Sequence, residues 1–96
     1  MKPSEALEKN RQAICVATKR FNAANPRDFG SVARDEDRVD SDLDILVDTL
    51  PGTTLFDLGG LPEELKDILG VKVDLVTPGG LPAKIRDRVL AEAASI

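Results

Sequence analysis

Two short apolar segments, each carrying aspartate, constrain the fold of this chain more than any other feature. Residues 43 to 47 read LDILV and residues 71 to 76 read VKVDLV, and turns containing Pro or Gly border both segments. Successive side chains on a strand point to opposite faces, so Asp42 and Asp44 share one face and the apolar residues between and after them face the other. We therefore expect two strands with a buried apolar face and an acidic opposite face.

Segments with helical periodicity precede, separate and follow these strands. The sequence predicts helices over about residues 4 to 24, with Ser4 as the N-terminal cap, over 62 to 69, and over 82 to 95. Gly70 is expected to end the second of these helices, and a short helical turn is expected just after Ser31. Strands interleaved with helices indicate an α/β (α+β) fold, in which helices cover a small mixed sheet.

The size and composition of the chain fit one domain spanning residues 1 to 96. Apolar residues make up 42% of the sequence, and three Phe with no Trp or Tyr leave the core to Leu, Val, Ile and Ala. The short strand that should precede Gly30 contains Asn25 and Pro26. Because Pro donates no hydrogen bond to a sheet, we expect that strand to be short or to lie at an edge.

Charge and cysteine content exclude several classes of function. Seventeen acidic residues against thirteen basic residues give a formal net charge of −4, which disfavours direct binding to nucleic acid. No apolar run approaches the roughly 20 residues of a membrane helix, so we expect no membrane partner. The single cysteine, Cys15, cannot form an intramolecular disulfide and is expected to be a buried small apolar residue; a reducing cytoplasm is the expected location. Histidine is absent, which excludes histidine-based metal sites.

The alternating carboxylates need a nearby positive charge if they are partly removed from water. Asp42 and Asp44 lie about 7 Å apart along a strand, and their repulsion would raise one pKa unless a cation lay nearby. If the second strand lies beside the first, Asp74 completes an oxygen-rich cluster suited to Mg²⁺. Burying a carboxylate among apolar neighbours without a partner is costly, which makes Asp74 the expected third ligand. Solvated acidic residues are the simpler explanation of such a pair taken alone. A calcium-binding loop fits less well, because Ile45 and Pro51 replace its glycine and glutamate.

The segment FGSVARDEDRVDSDLDILV favours a metal site over solvated acidic residues. Gly30-Ser31 is followed by ten residues and then by Asp42-x-Asp44. This spacing resembles the signature of the DNA polymerase beta nucleotidyltransferase superfamily. The chain resembles the minimal nucleotidyltransferases more closely, many of which are antitoxins paired with HEPN-domain toxins. The resemblance covers about residues 29 to 76 and implies a polymerase-beta-like minimal nucleotidyltransferase fold.

The resemblance also implies roles for particular residues. Three aspartates bind two Mg²⁺ ions and carry catalysis, and the third of them helps to activate the attacking hydroxyl. A glycine-serine pair and an arginine bind the phosphates of ATP. The implied catalytic and metal-binding residues are Asp42, Asp44 and Asp74, and the implied nucleotide-binding residues are Gly30, Ser31 and Arg34. The implied reaction is transfer of AMP from ATP to a hydroxyl group, with a HEPN-domain toxin as acceptor and with this chain as the antitoxin.

Alternatives remain open at this point. Asp35 follows Arg34 where many relatives have Gly, and its charge is expected to weaken triphosphate binding. A weak or inactive module that neutralises its partner by occlusion therefore stays an alternative, and a small molecule as acceptor is a further one. Arg34 itself could form only a surface ion pair with Glu36 or Asp37. Other acidic residues of this region, including Asp40 and Asp48, are expected to be solvated.

Overall fold

The computed structural model describes residues 1–96 and contains one four-stranded mixed sheet with helices on both faces. The strands lie in the order β3-β2-β1-β4; β2 is parallel to β3, while β1 is antiparallel to both of its neighbours. This confirms the expected α/β (α+β) fold. The elements are α1 (Pro3–Lys9), α2 (Arg11–Arg20), β1 (Ala23–Phe29), β2 (Leu43–Thr49), α3 (Leu55–Leu69), β3 (Val73–Val76), a 3-10 turn (Pro78–Gly80), α4 (Ala83–Glu92) and β4 (Ala94–Ser95).

The alternation along β2 divides the core into two clusters. Leu43, Ile45 and Val47 are buried in a twelve-residue cluster with apolar residues of α1, α2 and α3. Leu46 points the other way and packs with Leu81 and Val89 beneath α4. Asp44 alternates with Leu43 and Ile45, so its side chain lies on the α4 face of the sheet. The sheet thus has a well-filled face under three helices and a sparser face under α4.

The predicted first helix, residues 4 to 24, is two helices in the structure and ends earlier. The chain leaves helical geometry at Asn10, where φ is −129°, and the Asn10 side-chain amide donates to the carbonyl oxygen of Ala6 at 2.9 Å. Such side-chain bonds to the backbone compete with helix continuation. Ser4 lies inside α1 and is not its cap; its backbone N–H donates to Oδ2 of Asp37 at 2.9 Å.

Strand β1 is longer and more central than its sequence indicated. It has seven residues and lies between β2 and β4, so the expectation of a short or edge strand was wrong. A register shift between Ala24 and Arg27 forms a bulge, with Asn25 at φ +52°. The bulge accommodates Pro26, because a residue left unpaired needs no N–H donor. The Pro26 carbonyl oxygen still accepts a hydrogen bond, from the N–H of Ile96 at 2.9 Å.

Helix α3 begins seven residues before the predicted start. Thr54 caps it: the Asp57 N–H donates to Thr54 Oγ1 at 3.1 Å, and the Thr54 N–H donates to Asp57 Oδ2 at 3.0 Å. This reciprocal pair is a capping box, which satisfies two N–H groups at the helix start. Pro62 consequently lies within the helix and does not open it. Gly70, at φ +69°, ends the helix as predicted.

Several side chains differ in exposure from expectation. Cys15 is exposed, with its thiol 3.6 Å from the carbonyl oxygen of Ile96. Asp37 is buried, and although burial acts to raise its pKa, the hydrogen bond from Ser4 holds that pKa below its ordinary value. Asp48 is paired with Arg27 at 2.8 Å. None of the helices combines the length and apolarity needed to cross a bilayer.

Candidate active site

The register of the two parallel strands brings the predicted acidic residues together. Asp44 on β2 is the direct neighbour of Asp74 on β3. Adjacent strands lie about 4.8 Å apart, and directly paired residues of parallel strands point to the same face of the sheet. Asp42 immediately precedes β2, two residues from Asp44. The β-sheet therefore aligns all three aspartates at one end of β2 and β3.

Asp44 is the carboxylate most affected by this arrangement. Burial, and then the charges of Asp74 and Asp42, raise the pKa of Asp44 to about 6. Asp74 is exposed, so the cost of burial, from which it was expected to be a ligand, does not apply to it. Asp42 is also well exposed and lies 3.8 Å from Nζ of Lys72, an exposed ion pair that contributes little energy. The cluster thus concentrates negative charge around one partly desolvated carboxylate.

The fit of these residues to a divalent ion rests on their chemistry. The structure contains no group of three or more acidic, histidine or cysteine side chains that already converges on one ion position. The donors are hard carboxylate oxygens, which Mg²⁺ prefers, and Mg²⁺ commonly keeps several waters and a few protein ligands. Burial of Asp44, together with the charges of Asp74 and Asp42, raises the pKa of Asp44, which a cation would counteract. The donor set therefore suits Mg²⁺, with rotation of exposed side chains needed to close the site.

Gly30 lies directly against Asp44. Its φ of +73° is in the left-handed region, and a Cβ atom built on it would be 2.2 Å from Asp44 Oδ2. Real Cβ atoms do not approach an oxygen so closely, so only glycine fits unless the carboxylate moves. From the family resemblance, Gly30 was expected to bind phosphate. Glycine also lets the turn approach the acidic cluster closely without displacing the Asp44 carboxylate.

The turn after Gly30 is closed by its own backbone but leaves donors free. The Arg34 N–H donates to the Gly30 carbonyl oxygen at 3.1 Å, and the Glu36 N–H donates to the Ser31 carbonyl oxygen at 2.8 Å. This is the short turn that was expected after Ser31, and it does not continue into a helix. The backbone N–H groups of residues 31 to 33 and the Ser31 hydroxyl make no hydrogen bond within the chain. Such successive N–H groups form a site suited to anions.

Arg34 and Gly30 share a partner that the sequence analysis missed. Arg34 Nη1 lies 3.2 and 3.4 Å from the two carboxylate oxygens of Glu92, and the Gly30 N–H donates to Glu92 Oε1 at 2.9 Å. Arg34 Nε also contacts Glu36 at 3.4 Å, whereas no contact joins Arg34 to Asp37. Glu92 is the last residue of α4, and no periodicity or motif distinguishes it from other exposed helix positions in the sequence.

The backbone of Asp35 adopts a conformation in which glycine is the least strained residue. Its φ is +56°, in the left-handed region where glycine is least strained and where Asp is tolerated better than most residues. The side chain is exposed. The departure at this position therefore keeps the shape of the turn.

Known proteins match this chain over most of its length. Residues 27–95 match the nucleotidyltransferase domain family. A candidate protein adenylyltransferase of Methanocaldococcus jannaschii is 43% identical over 68 residues, which are 71% of this chain and 73% of that protein. Protein adenylyltransferase MntA of Thermococcus cleftensis is 39% identical over 77 residues, covering 80% of this chain and 78% of its own.

Solved structures agree with the sequence relatives. A candidate minimal nucleotidyltransferase is 44% identical and superposes with a TM-score of 0.87, over 97% of this chain and 95% of that one. A toxin–antitoxin complex crystallised with AMP-PNP contains a chain 20% identical, with a TM-score of 0.75 over 90% of this chain and 71% of that one; this likeness shows the fold alone. The present chain belongs to the nucleotidyltransferase domain family and is an enzyme of the minimal nucleotidyltransferase type.

Proposed function

We propose that this chain is a Mg²⁺-dependent nucleotidyltransferase that transfers AMP from ATP to a hydroxyl group of a HEPN-domain toxin and thereby acts as its antitoxin. The observation that carries the proposal is the pairing of Asp44 with Asp74, directly beside a turn that begins at Gly30. Carboxylates and free N–H donors thus lie next to each other, as a nucleotide with bound metal requires.

The acidic cluster supports a role in metal binding. Asp42, Asp44 and Asp74 would hold the two Mg²⁺ ions, and the bound charge would offset the burial and the repulsion that raise the pKa of Asp44. When bound, the ions would stabilise negative charge on the attacking and leaving oxygens of a phosphoryl displacement.

The turn supports a role in binding the triphosphate. The free N–H groups of residues 31 to 33 and the Ser31 hydroxyl can donate to phosphate oxygens. Arg34 is half exposed, and its Nη2 donates to nothing within the chain. A guanidinium at this position offers directed donors to the β and γ phosphates. A local site of this kind is needed because the chain as a whole carries a net charge of −4.

The proposed reaction is an in-line displacement at the α-phosphorus of ATP. The acceptor hydroxyl oxygen forms a bond to the α-phosphorus, and the bond from that phosphorus to the bridging oxygen of the β-phosphate breaks. Pyrophosphate leaves with the electron pair. The exposed carboxylate of Asp74, beside Asp44 in the sheet, would accept the hydroxyl proton as the new bond forms.

The acceptor is proposed from the relatives. Two of them are named as adenylyltransferases of proteins, and a structural neighbour is part of a toxin–antitoxin complex that was crystallised with an ATP analogue. These names support a protein acceptor, ATP as the nucleotide and a toxin as the partner.

The test is mass spectrometry of a HEPN-domain partner after incubation with this chain, ATP and Mg²⁺. We expect the partner to gain the mass of one or more AMP groups, and we expect the gain to disappear with Asp42→Asn, Asp44→Asn. The matched control is Asp67→Asn, Asp87→Asn, which changes the charge equally at two exposed helix positions. Tight complex formation without any adduct would refute the enzymatic proposal and favour occlusion.

A further inference from the structure

The carboxylate of Glu92 joins the end of α4 to the turn after β1. Its Oε1 accepts from the Gly30 N–H at 2.9 Å and lies 3.2 Å from Arg34 Nη1, while Oε2 lies 3.4 Å from the same nitrogen. The Glu92 side chain is only 22% exposed, whereas the Arg34 side chain is 50% exposed. One mostly buried carboxylate therefore fixes the turn at its first residue and at its arginine.

The position of Glu92 is electrostatically unfavourable unless these contacts hold it. The C-terminal end of a helix carries partial negative charge, which disfavours a carboxylate there. Glu92 also contributes to the raised pKa of Asp44, so it lies within the field of the acidic cluster. The hydrogen bond from Gly30 and the ion pair with Arg34 offset this cost, which argues against an incidental surface contact.

The contacts divide the donors of the turn into two sets. The Gly30 N–H and Arg34 Nη1 are occupied by Glu92 on the protein side. The N–H groups of residues 31 to 33 and Arg34 Nη2 stay free. Because Arg34 has a long flexible side chain, anchoring one of its nitrogens reduces the entropy lost when another nitrogen binds phosphate.

We propose that Glu92 is a positioning residue for the triphosphate site: it holds Gly30 and Arg34 so that the remaining donors of the turn face the β and γ phosphates. This inference rests on the proposed nucleotidyl transfer. Glu92 acts through the turn and touches neither nucleotide nor metal. If Glu92 has this role, its loss should weaken binding of ATP much more than binding of AMP, which lacks the β and γ phosphates.

The experiment compares the dissociation constants of ATP and AMP, each with Mg²⁺, by calorimetry for wild type, Glu92→Ala and Glu92→Gln. We expect Glu92→Ala to raise the dissociation constant of ATP about tenfold or more, the effect of losing a charged hydrogen bond, and to change that of AMP less than about twofold. Glu92→Gln keeps one acceptor oxygen and should lie between wild type and Glu92→Ala.

A second measurement needs no nucleotide. Hydrogen exchange should be faster at Gly30 and through the following turn in Glu92→Ala than in wild type, because both anchors are lost. The matched control is Asp48→Ala, which breaks the ion pair with Arg27 at 2.8 Å and the contact with Asn25 at 2.9 Å, both within β1 and not in the turn. Asp48→Ala should lower stability without changing the affinity for ATP or exchange in the turn.

The possible results separate this inference from the proposed function. A wild type that binds no ATP overturns the proposed function and the inference with it. A wild type that binds ATP, together with a Glu92→Ala variant that binds ATP equally well, overturns the inference alone. Tighter ATP binding by Glu92→Ala or Glu92→Gln would show that Glu92 competes with phosphate, and would also overturn it. Equal losses for ATP and AMP would show that Glu92 does not act selectively on the triphosphate site, and would also overturn the inference.

Discussion

Substitution of Gly30 by Ala tests the close contact between the turn and the acidic cluster. The left-handed φ of +73° costs a residue with a Cβ about 1–2 kcal/mol. The new methyl group would also meet Asp44 Oδ2 at 2.2 Å. Rotation of the carboxylate out of its preferred conformation relieves this contact at a cost of about 0.5–1.5 kcal/mol. We therefore expect Gly30→Ala to lower the free energy of unfolding by about 1.5–3.5 kcal/mol.

A second glycine separates the two contributions. Gly70 has a φ of +69°, and nothing lies within 4 Å of the position of its Cβ. Gly70→Ala should therefore show the backbone cost alone. Urea denaturation measures both variants, and an excess of about 1 kcal/mol for Gly30→Ala corresponds to a difference of roughly 0.3–1 M in midpoint.

Removal of the Asp44 carboxylate provides the decisive comparison. In an Asp44→Ala background, Gly30→Ala should cost no more than Gly70→Ala does, because the clashing oxygen is gone. If Gly30→Ala is no more destabilising than Gly70→Ala in the wild-type background, the contact does not constrain the turn. If the excess persists without the carboxylate, its cause lies elsewhere. Either result refutes the reasoning.

Three further predictions concern charge and backbone conformation. The pKa of Asp44 is raised from 3.8 to about 6 in the folded state. Protonation of Asp44 therefore contributes stability that is fully present below pH 3.8 and is lost as the pH rises through about 6. In urea denaturation without metal, Asp44→Asn should therefore raise stability at pH 7 and lose this advantage at acidic pH. Millimolar Mg²⁺ should raise the melting temperature of wild type and not that of Asp42→Asn, Asp44→Asn, as expected for a ligand of the folded state; equal shifts would contradict the assigned site. Because Asp35 has a φ of +56°, Asp35→Gly should be neutral or stabilise by up to about 1 kcal/mol, whereas Asp35→Ala should destabilise; the reverse order in urea midpoints would refute the backbone explanation.

The acidic site could be predicted from the sequence because successive side chains on a strand alternate between its two faces. Alternation along LDILV placed the aspartates on the face opposite the core, and the structure has this arrangement. The pairing of Asp44 with Asp74 required only that the two strands be neighbours. The sequence could not indicate which aspartate loses solvent, because that depends on the Gly30 turn and on α4, which reach the site through tertiary contacts.

Helix boundaries were harder to predict from the sequence because neighbouring residues favour different start and end points. Asn10 interrupts a continuous apolar stripe through one side-chain hydrogen bond, which periodicity does not reveal. The capping box of Thr54 and Asp57 was present in the sequence, but Pro62 suggested a later start for the same helix. Glu92 could not be found at all, since its partners lie about sixty residues away in the chain.

The register between β2 and β3 also protects the geometry of the site against mutation. If β3 slipped by one residue, Asp74 would turn toward the face packed under α1, α2 and α3, and Val73 and Leu75 would turn out of the hydrophobic cluster against which they pack. The slipped sheet would bury a charge and expose two aliphatic side chains at once. Hydrophobic packing on one face therefore keeps Asp44 and Asp74 side by side on the other face. The distance between the two carboxylates is set by the pairing of the strands and not by contacts of the carboxylates themselves.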